Sequence, residues 1–228
     1  VSSPVETSTN LSRRVIMKRT FITSLIATAS IAVSLFTAAP VFADSSFSPA
    51  SSLADAEASA KQSFNFIAYK GYGRFGKKVS PELRLEKLNR INRELLRVES
   101  AFGIELPRVN VVYVTDTNRG FYNDRRDEIV FSSKKLEHTL RHEFGHVIDN
   151  RLDVTGREWR DLVNRMKDLH GFSPSNYANT NLIEYWAEAF AYFTAPDYGL
   201  NSDRFPAELE SFISKVIDQL QSPRLASK

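Results

Sequence analysis

Four histidines occur in the 228-residue chain, and two of them, His142 and His146, stand four apart with Glu143 directly after the first. On a helix, positions i and i+4 lie one turn apart on one face. Two imidazoles so placed reach a single ion at about 2.0–2.1 Å. Glu143 then points beside the ion instead of at it, where a carboxylate takes a proton from a bound water. Gly145 places no side chain beside the second ligand. The run His142-Glu143-Phe144-Gly145-His146 can also arise by chance on a surface helix, so the reading depends on what else the chain offers an ion.

A catalytic zinc site takes three protein ligands and keeps a fourth position open. Downstream, Glu184-Tyr185-Trp186-Ala187-Glu188 offers two carboxylates four apart on a second helix. One of them can ligate zinc. The other can accept the free ring N–H of a ligating histidine and fix its tautomer. Trp186, Ala189, Phe190, Tyr192 and Phe193 leave this helix little polar face, so it is expected to be buried, and buried carboxylates require partners. His138 lies one turn before His142, but about 12 Å of helix separates it from His146. One ion cannot bind all three, and Thr139, not a glutamate, follows His138. His138 is therefore read as exposed or as supporting a ligand, and His170, before Gly171, as a helix C-terminal residue. Tyr177 precedes Glu184 by seven residues. A hydroxyl over the metal would stabilise an oxyanion, although position alone does not single it out among 8 tyrosines.

The N-terminal stretch reads differently from the rest. Met17-Lys18-Arg19-Thr20 opens a short positive region, an apolar run follows from Phe21 to Ala39, and Pro40-Val41-Phe42-Ala43 ends in small or β-branched residues. That is the layout of a secretory signal peptide over 17–43, with 1–16 an over-extended start; an uncleaved anchor is the alternative. The chain carries 30 Lys+Arg against 27 Asp+Glu. Four of those bases and one acid precede Asp44, so residues 44–228 hold 26 of each sign. The basic balance belongs to the leader and gives no support for a nucleic-acid partner. Residues 44–228 suffice for one domain with its own core. With no cysteine, that domain must rest on packing and metal.

Along 44–228 the patterns predict an Ala-rich helix from Leu53 to Tyr69 and a glycine-containing loop over 70–78. A helix opens with Ser80 as N-cap and Pro81 at the first position and closes at Gly103. Strands are expected at Val109–Thr115, Gly120–Tyr122 and Glu128–Ser132. Helices then follow from Ser133 to about Asn150, over Arg157–Leu169, from Asn181 to about Thr194, and over Pro206–Leu220. The class is α+β: a small antiparallel or mixed sheet, a zincin-type metal helix and a following helical subdomain.

His142-Glu143-Phe144-Gly145-His146-Val147-Ile148-Asp149, then Tyr177, then Glu184-Tyr185-Trp186-Ala187-Glu188-Ala189-Phe190 resembles the catalytic domain of anthrax lethal factor. It is also similar to the small secreted Pro-Pro endopeptidases of Gram-positive bacteria. The resemblance covers roughly Val109 to Phe193. It implies zinc held by His142, His146 and Glu184, Glu143 as base, and Tyr177 as the oxyanion's donor, which leaves Glu188 as the carboxylate that can support a ligating histidine. The Pro-Pro enzymes use a tryptophan upstream of the metal helix to bind substrate. Here Trp159 and Trp186 both follow that helix, so the proline preference is not carried over.

The expectation is a secreted zinc endopeptidase that hydrolyses peptide bonds with a metal-activated water. It acts on a protein or peptide substrate, meets the membrane only through its leader, and works as a monomer. The strand Glu128–Ser132 is the expected edge for pairing with an extended peptide. Two rivals are a non-catalytic zinc-stabilised binding protein of the cell surface and a membrane-anchored enzyme of the same chemistry.

Overall fold

The structure, a computed structural model, describes residues 47–69, 79–115, 120–131, 135–200 and 203–221. The leader, the loop over 70–78, the turn at 116–118 and the Ser133 helix start lie outside the described residues. Among the described residues no helix is long and apolar enough to cross a membrane.

The Ala-rich segment does not stay helical to Tyr69. Helix α1, Leu53–Ala60, starts at Ser52, whose hydroxyl accepts the Asp55 N–H at 3.1 Å. It stops where the alanines stop. Phe64-Asn65-Phe66-Ile67-Ala68 forms strand β1 instead. Aromatic and β-branched residues suit a pleated surface, and Phe64 is buried against Phe131 and Phe144, with ring centroids 6.2 and 6.3 Å away.

Helix α2, Pro81–Phe102, keeps the predicted ends: the Ser80 hydroxyl accepts the Leu83 N–H at 3.3 Å, and Gly103 closes the helix at φ 62°, a backbone region open to glycine. Its apolar stripe, Leu88, Ile91, Leu95 and Val98, is buried. Each such side chain stabilises the fold by about 1.5–3 kcal/mol.

Strands β2 (Val109–Val114), β3 (Phe121–Asn123) and β4 (Glu128–Phe131) join β1 in a mixed sheet of order β1-β2-β4-β3. β2 pairs parallel with both β1 and β4, and β3 runs antiparallel to β4. This overturns the assignment of Glu128–Ser132 as the edge. β4 is interior and buried along its length, as a strand paired on both sides should be. The edge is β3.

Helix α3, Leu136–Leu152, carries the two spaced histidines, and α4, Arg157–His170, ends with His170 and Gly171 (φ 57°) as its C-cap. A one-turn 3₁₀ helix, Tyr177–Thr180, leads to α5, Leu182–Phe193, and α6, Ala207–Leu220, follows. The α+β class read from the sequence is the observed one.

Helices α3 and α5 approach each other closely. A Cβ on Gly145 would lie 2.8 Å from the Cα of Ala187, a distance real side chains do not tolerate. The Trp186 indole N–H donates to the Gly145 carbonyl at 2.8 Å. Gly145 is therefore a packing residue first, which its place beside a ligand did not reveal. Behind α5, Trp186 meets Trp159 edge-on at 5.6 Å, and Trp159 also packs on Tyr185 and Phe212.

A polar clamp ties α2 and α3 to the end of α5. Glu94 is buried between Arg97 and Arg141. Arg141 Nε donates to the Ala191 carbonyl at 2.8 Å, and Arg97 Nη2 to that of Thr194 at 2.6 Å. These carbonyls belong to the helix end that favours positive charge.

Two outcomes follow for stability. Gly145→Ala must push α3 from α5 and is expected to cost about 1–3 kcal/mol, read as a drop of several degrees in Tm; an unchanged Tm refutes the close approach. Arg90 also grips Glu137 at the start of α3 through two 2.7 Å hydrogen bonds, and this contact holds the Glu137 carboxyl below its usual range although burial opposes it. A depressed folded-state pKa contributes stability above the unfolded value and loses it as pH falls through the folded one. Tm should therefore fall more steeply in acid for the wild type than for Glu137→Gln.

Candidate metal centre

The α3–α5 contact brings the two histidines against the first turn of α5. His142 Nε2 and His146 Nε2 are 3.1 Å apart, and Glu184 Oε2 lies 3.0 Å from the first and 3.3 Å from the second. Donors on a tetrahedral ion at about 2.0–2.1 Å stand about 3.3 Å from one another. The triangle has the edges such an ion requires. Glu184 Oε2 is also buried without a hydrogen bond, although it lies between two ring nitrogens. A buried carboxylate oxygen left so is costly, and a cation among the three atoms would satisfy it. Two imidazole nitrogens and one carboxylate oxygen are a donor set suited to zinc.

Local structure fixes Glu184. Asn181 Oδ1 caps α5 by accepting the Ile183 and Glu184 N–H groups, both at 2.9 Å. Glu184 thus sits in the first turn, where the helix dipole favours a carboxylate. Burial pushes its pKa up, but the two histidines outweigh burial and bring it down to about 2.

Glu188, one turn on, does not join the triangle. Its Oε1 accepts from His142 Nδ1 at 2.8 Å, which leaves the Nε2 lone pair of His142 for the ion. Burial opposes its charge; His138, His142 and the Ser175 hydroxyl outweigh burial and hold it well below the carboxylate range. Burial likewise disfavours charge on His142, yet Glu184 and Glu188 together raise its pKa to about 9. His138, His142 and Glu188 also lie close enough for a second metal group. That group would need His142 Nδ1, which donates to Glu188 when Nε2 faces an ion. The two groups exclude each other, and Glu188 already has hydrogen-bond partners where Glu184 Oε2 has none.

Glu143 stands apart from the ligands. It is buried, and its Oε2 has no hydrogen-bond partner. Burial raises its pKa to about 7, only partly offset by His142, His146 and the Tyr122 backbone. Gly120, directly before β3, closes over it: a Cβ there would meet Thr139 Cγ2 at 2.2 Å and Glu143 Oε1 at 3.0 Å. Sequence reasoning missed Gly120. A glycine at a strand's start was the available signal, since it marks close backbone approach. Tyr122 is pinned through its hydroxyl, which donates to Asp127 at 2.8 Å and accepts from Asn150 at 2.9 Å.

Tyr177 comes to the site as expected. Its ring centroid is 5.8 Å from that of His142, it is 55% exposed, and burial followed by the nearby Glu184 raises its pKa. His142, Glu143, His146, Tyr177 and Glu184 all open on one cleft of about 330 Å³, walled also by Phe121, Tyr122 and Asp124 of the β3 hairpin and by Ile183. All five residues singled out for metal binding or catalysis therefore share one cavity, with Glu188 behind it.

No family model matches the chain, and no curated protein or solved structure matches it either.

Removing the carboxylate behind a ligating histidine weakens a metal site by about 10- to 100-fold. Glu188→Gln should lower zinc affinity by that factor in a competition titration with a chromogenic chelator, and Glu184→Ala by more. Wild-type affinity in Glu188→Gln would refute its hold on His142.

Proposed function

We propose that the chain is a secreted zinc-dependent endopeptidase of the lethal-factor-like kind. The observation that carries this reading is the placement of Glu143: a buried carboxyl with one oxygen unpaired, opening on the same cleft as three metal-type donors yet not one of them. A group with a pKa near neutrality is matched to moving protons at neutral pH. Zinc held by His142, His146 and Glu184 would supply an acidified water and a polarised carbonyl. Three donors is the number a catalytic site takes, and the described residues that form the group are three.

The chain's own residues divide the remaining work. Glu143 takes the proton from the attacking water and returns it to the leaving amine. The Tyr177 hydroxyl, at the exposed wall of the cleft, donates to the oxyanion. The β3 segment ends the sheet and borders the cleft, so an extended peptide can add to it as a further strand. Phe121 and Ile183 offer apolar contact to its side chains. Secretion rests on the leader-type sequence before Asp44, and the lethal-factor-like assignment on the residues from His142 to Phe190 that carry the resemblance.

The test is hydrolysis of a peptide library by zinc-loaded protein. Glu143→Gln should reduce turnover by at least about 10²-fold while zinc stays bound; undiminished turnover refutes the base. A wild-type protein that binds zinc and cleaves nothing in the library would instead favour a zinc-stabilised binding protein.

A further inference from the structure

His138 is the one histidine of α3 that the metal centre does not use. It is partly buried, with 26% of its side chain exposed. Its Nε2 lies 3.1 Å from Glu188 Oε1, the same oxygen that His142 Nδ1 contacts at 2.8 Å. An ionised carboxylate only accepts hydrogen bonds, so both ring nitrogens donate. The His138 ring is itself set edge-on against Tyr192 of α5, with centroids 5.0 Å apart and planes at 63°.

This arrangement has a mechanical meaning. A glutamate has three rotatable side-chain bonds, and one hydrogen bond leaves its carboxyl free to swing about that contact. Beside the Ser175 hydroxyl, which also contacts the carboxylate, Glu188 Oε1 receives two imidazole donors from successive turns of one helix, His138 and His142, while its own backbone is fixed on α5. The oxygen facing His142 is thereby triangulated between two rigid elements. The direction of that oxygen sets the plane and tautomer of the His142 ring, and hence where the Nε2 lone pair points.

We propose that His138 is a positioning residue of the metal centre. By donating to Glu188 Oε1 it holds that carboxylate against His142 Nδ1 and so aims His142 Nε2 at the ion. This rests on the metal reading of the His142, His146 and Glu184 group, and not on the protein's being a peptidase.

The experiment measures zinc dissociation constants by chelator competition for the wild type, His138→Leu, His138→Gln, Glu188→Ala and the His138→Leu/Glu188→Ala double variant. Tm of each metal-free protein is recorded alongside. His138 is one hydrogen bond further from the ion than Glu188, so His138→Leu should weaken zinc binding by about five- to tenfold, the lower end for supporting residues. His138→Gln keeps an N–H of similar reach and should stay within about twofold of wild type. In the Glu188→Ala background His138→Leu should add nothing, because its effect passes through Glu188.

Three results overturn the proposal: unchanged affinity in His138→Leu, equal losses in the Leu and Gln variants, or additive losses in the double variant. A lowered metal-free Tm with unchanged zinc affinity identifies a merely structural histidine and also overturns it. If His138→Leu does not fold, His138→Asn, whose amide is too short to reach Glu188, takes its place with the same expected loss. Failure of the wild type to bind zinc refutes the metal reading itself. Failure to cleave peptides leaves this result standing.

Discussion

The contact between Gly145 and Ala187 governs the rest of the molecule. The group that could hold a metal ion is split between two helices, with His142 and His146 on α3 and Glu184 on the first turn of α5. Side chains of this length converge on one ion only if the helix backbones nearly touch. Gly145 lies between the two histidines in sequence and meets Ala187, which lies between the two glutamates. The pair with the least side chain thus sits at the centre of the four residues with the most chemistry. The Trp186 hydrogen bond to the Gly145 carbonyl and the Glu94–Arg141–Arg97 clamp on the end of α5 keep the helices at that spacing.

Three carboxylates lie within this small volume, and their surroundings separate them. Glu184 and Glu188 each face imidazole nitrogens and are held ionised. Glu143 faces the same histidines from a fully buried position, with an oxygen lacking a donor, and is pushed up instead. Environments that drive equivalent groups apart in pKa mark a division between groups that hold charge and a group that moves a proton. Here the division follows the helices: Glu184 and Glu188 of α5 are held ionised, and Glu143 of α3 is pushed the other way.

Much of this was legible in the sequence, because it depended on local spacing. The i, i+4 rule placed His142 with His146 and Glu184 with Glu188, and the caps at Ser80 and Asn181 follow from short-range hydrogen bonding. What was missed depended on partners distant in sequence. Phe64–Ala68 follows an Ala-rich helix and was read as its continuation, because the β2 strand that pairs with it lies beyond the whole of α2. Glu128–Phe131 looked like an edge because it directly precedes the metal helix, yet β2 and β3 flank it on both sides. Gly120 carries no chemistry of its own, and only the crowding of Thr139, Glu143 and the Val130 carbonyl around it explains the residue. His138 lies outside the His142, His146 and Glu184 group, and its partner Glu188 is 50 residues away in sequence.

The tryptophan pair behind α5 has an optical consequence. The chain has two tryptophans, and both belong to this one cluster, ring against ring, with Trp186 hydrogen-bonded to the backbone between the two histidine ligands. The tryptophan bands of the near-ultraviolet circular dichroism and the indole emission therefore come from a single locus. The protein carries a built-in optical gauge of how α5 is seated on α3, and events at the far edge of the sheet leave it silent unless they move that joint.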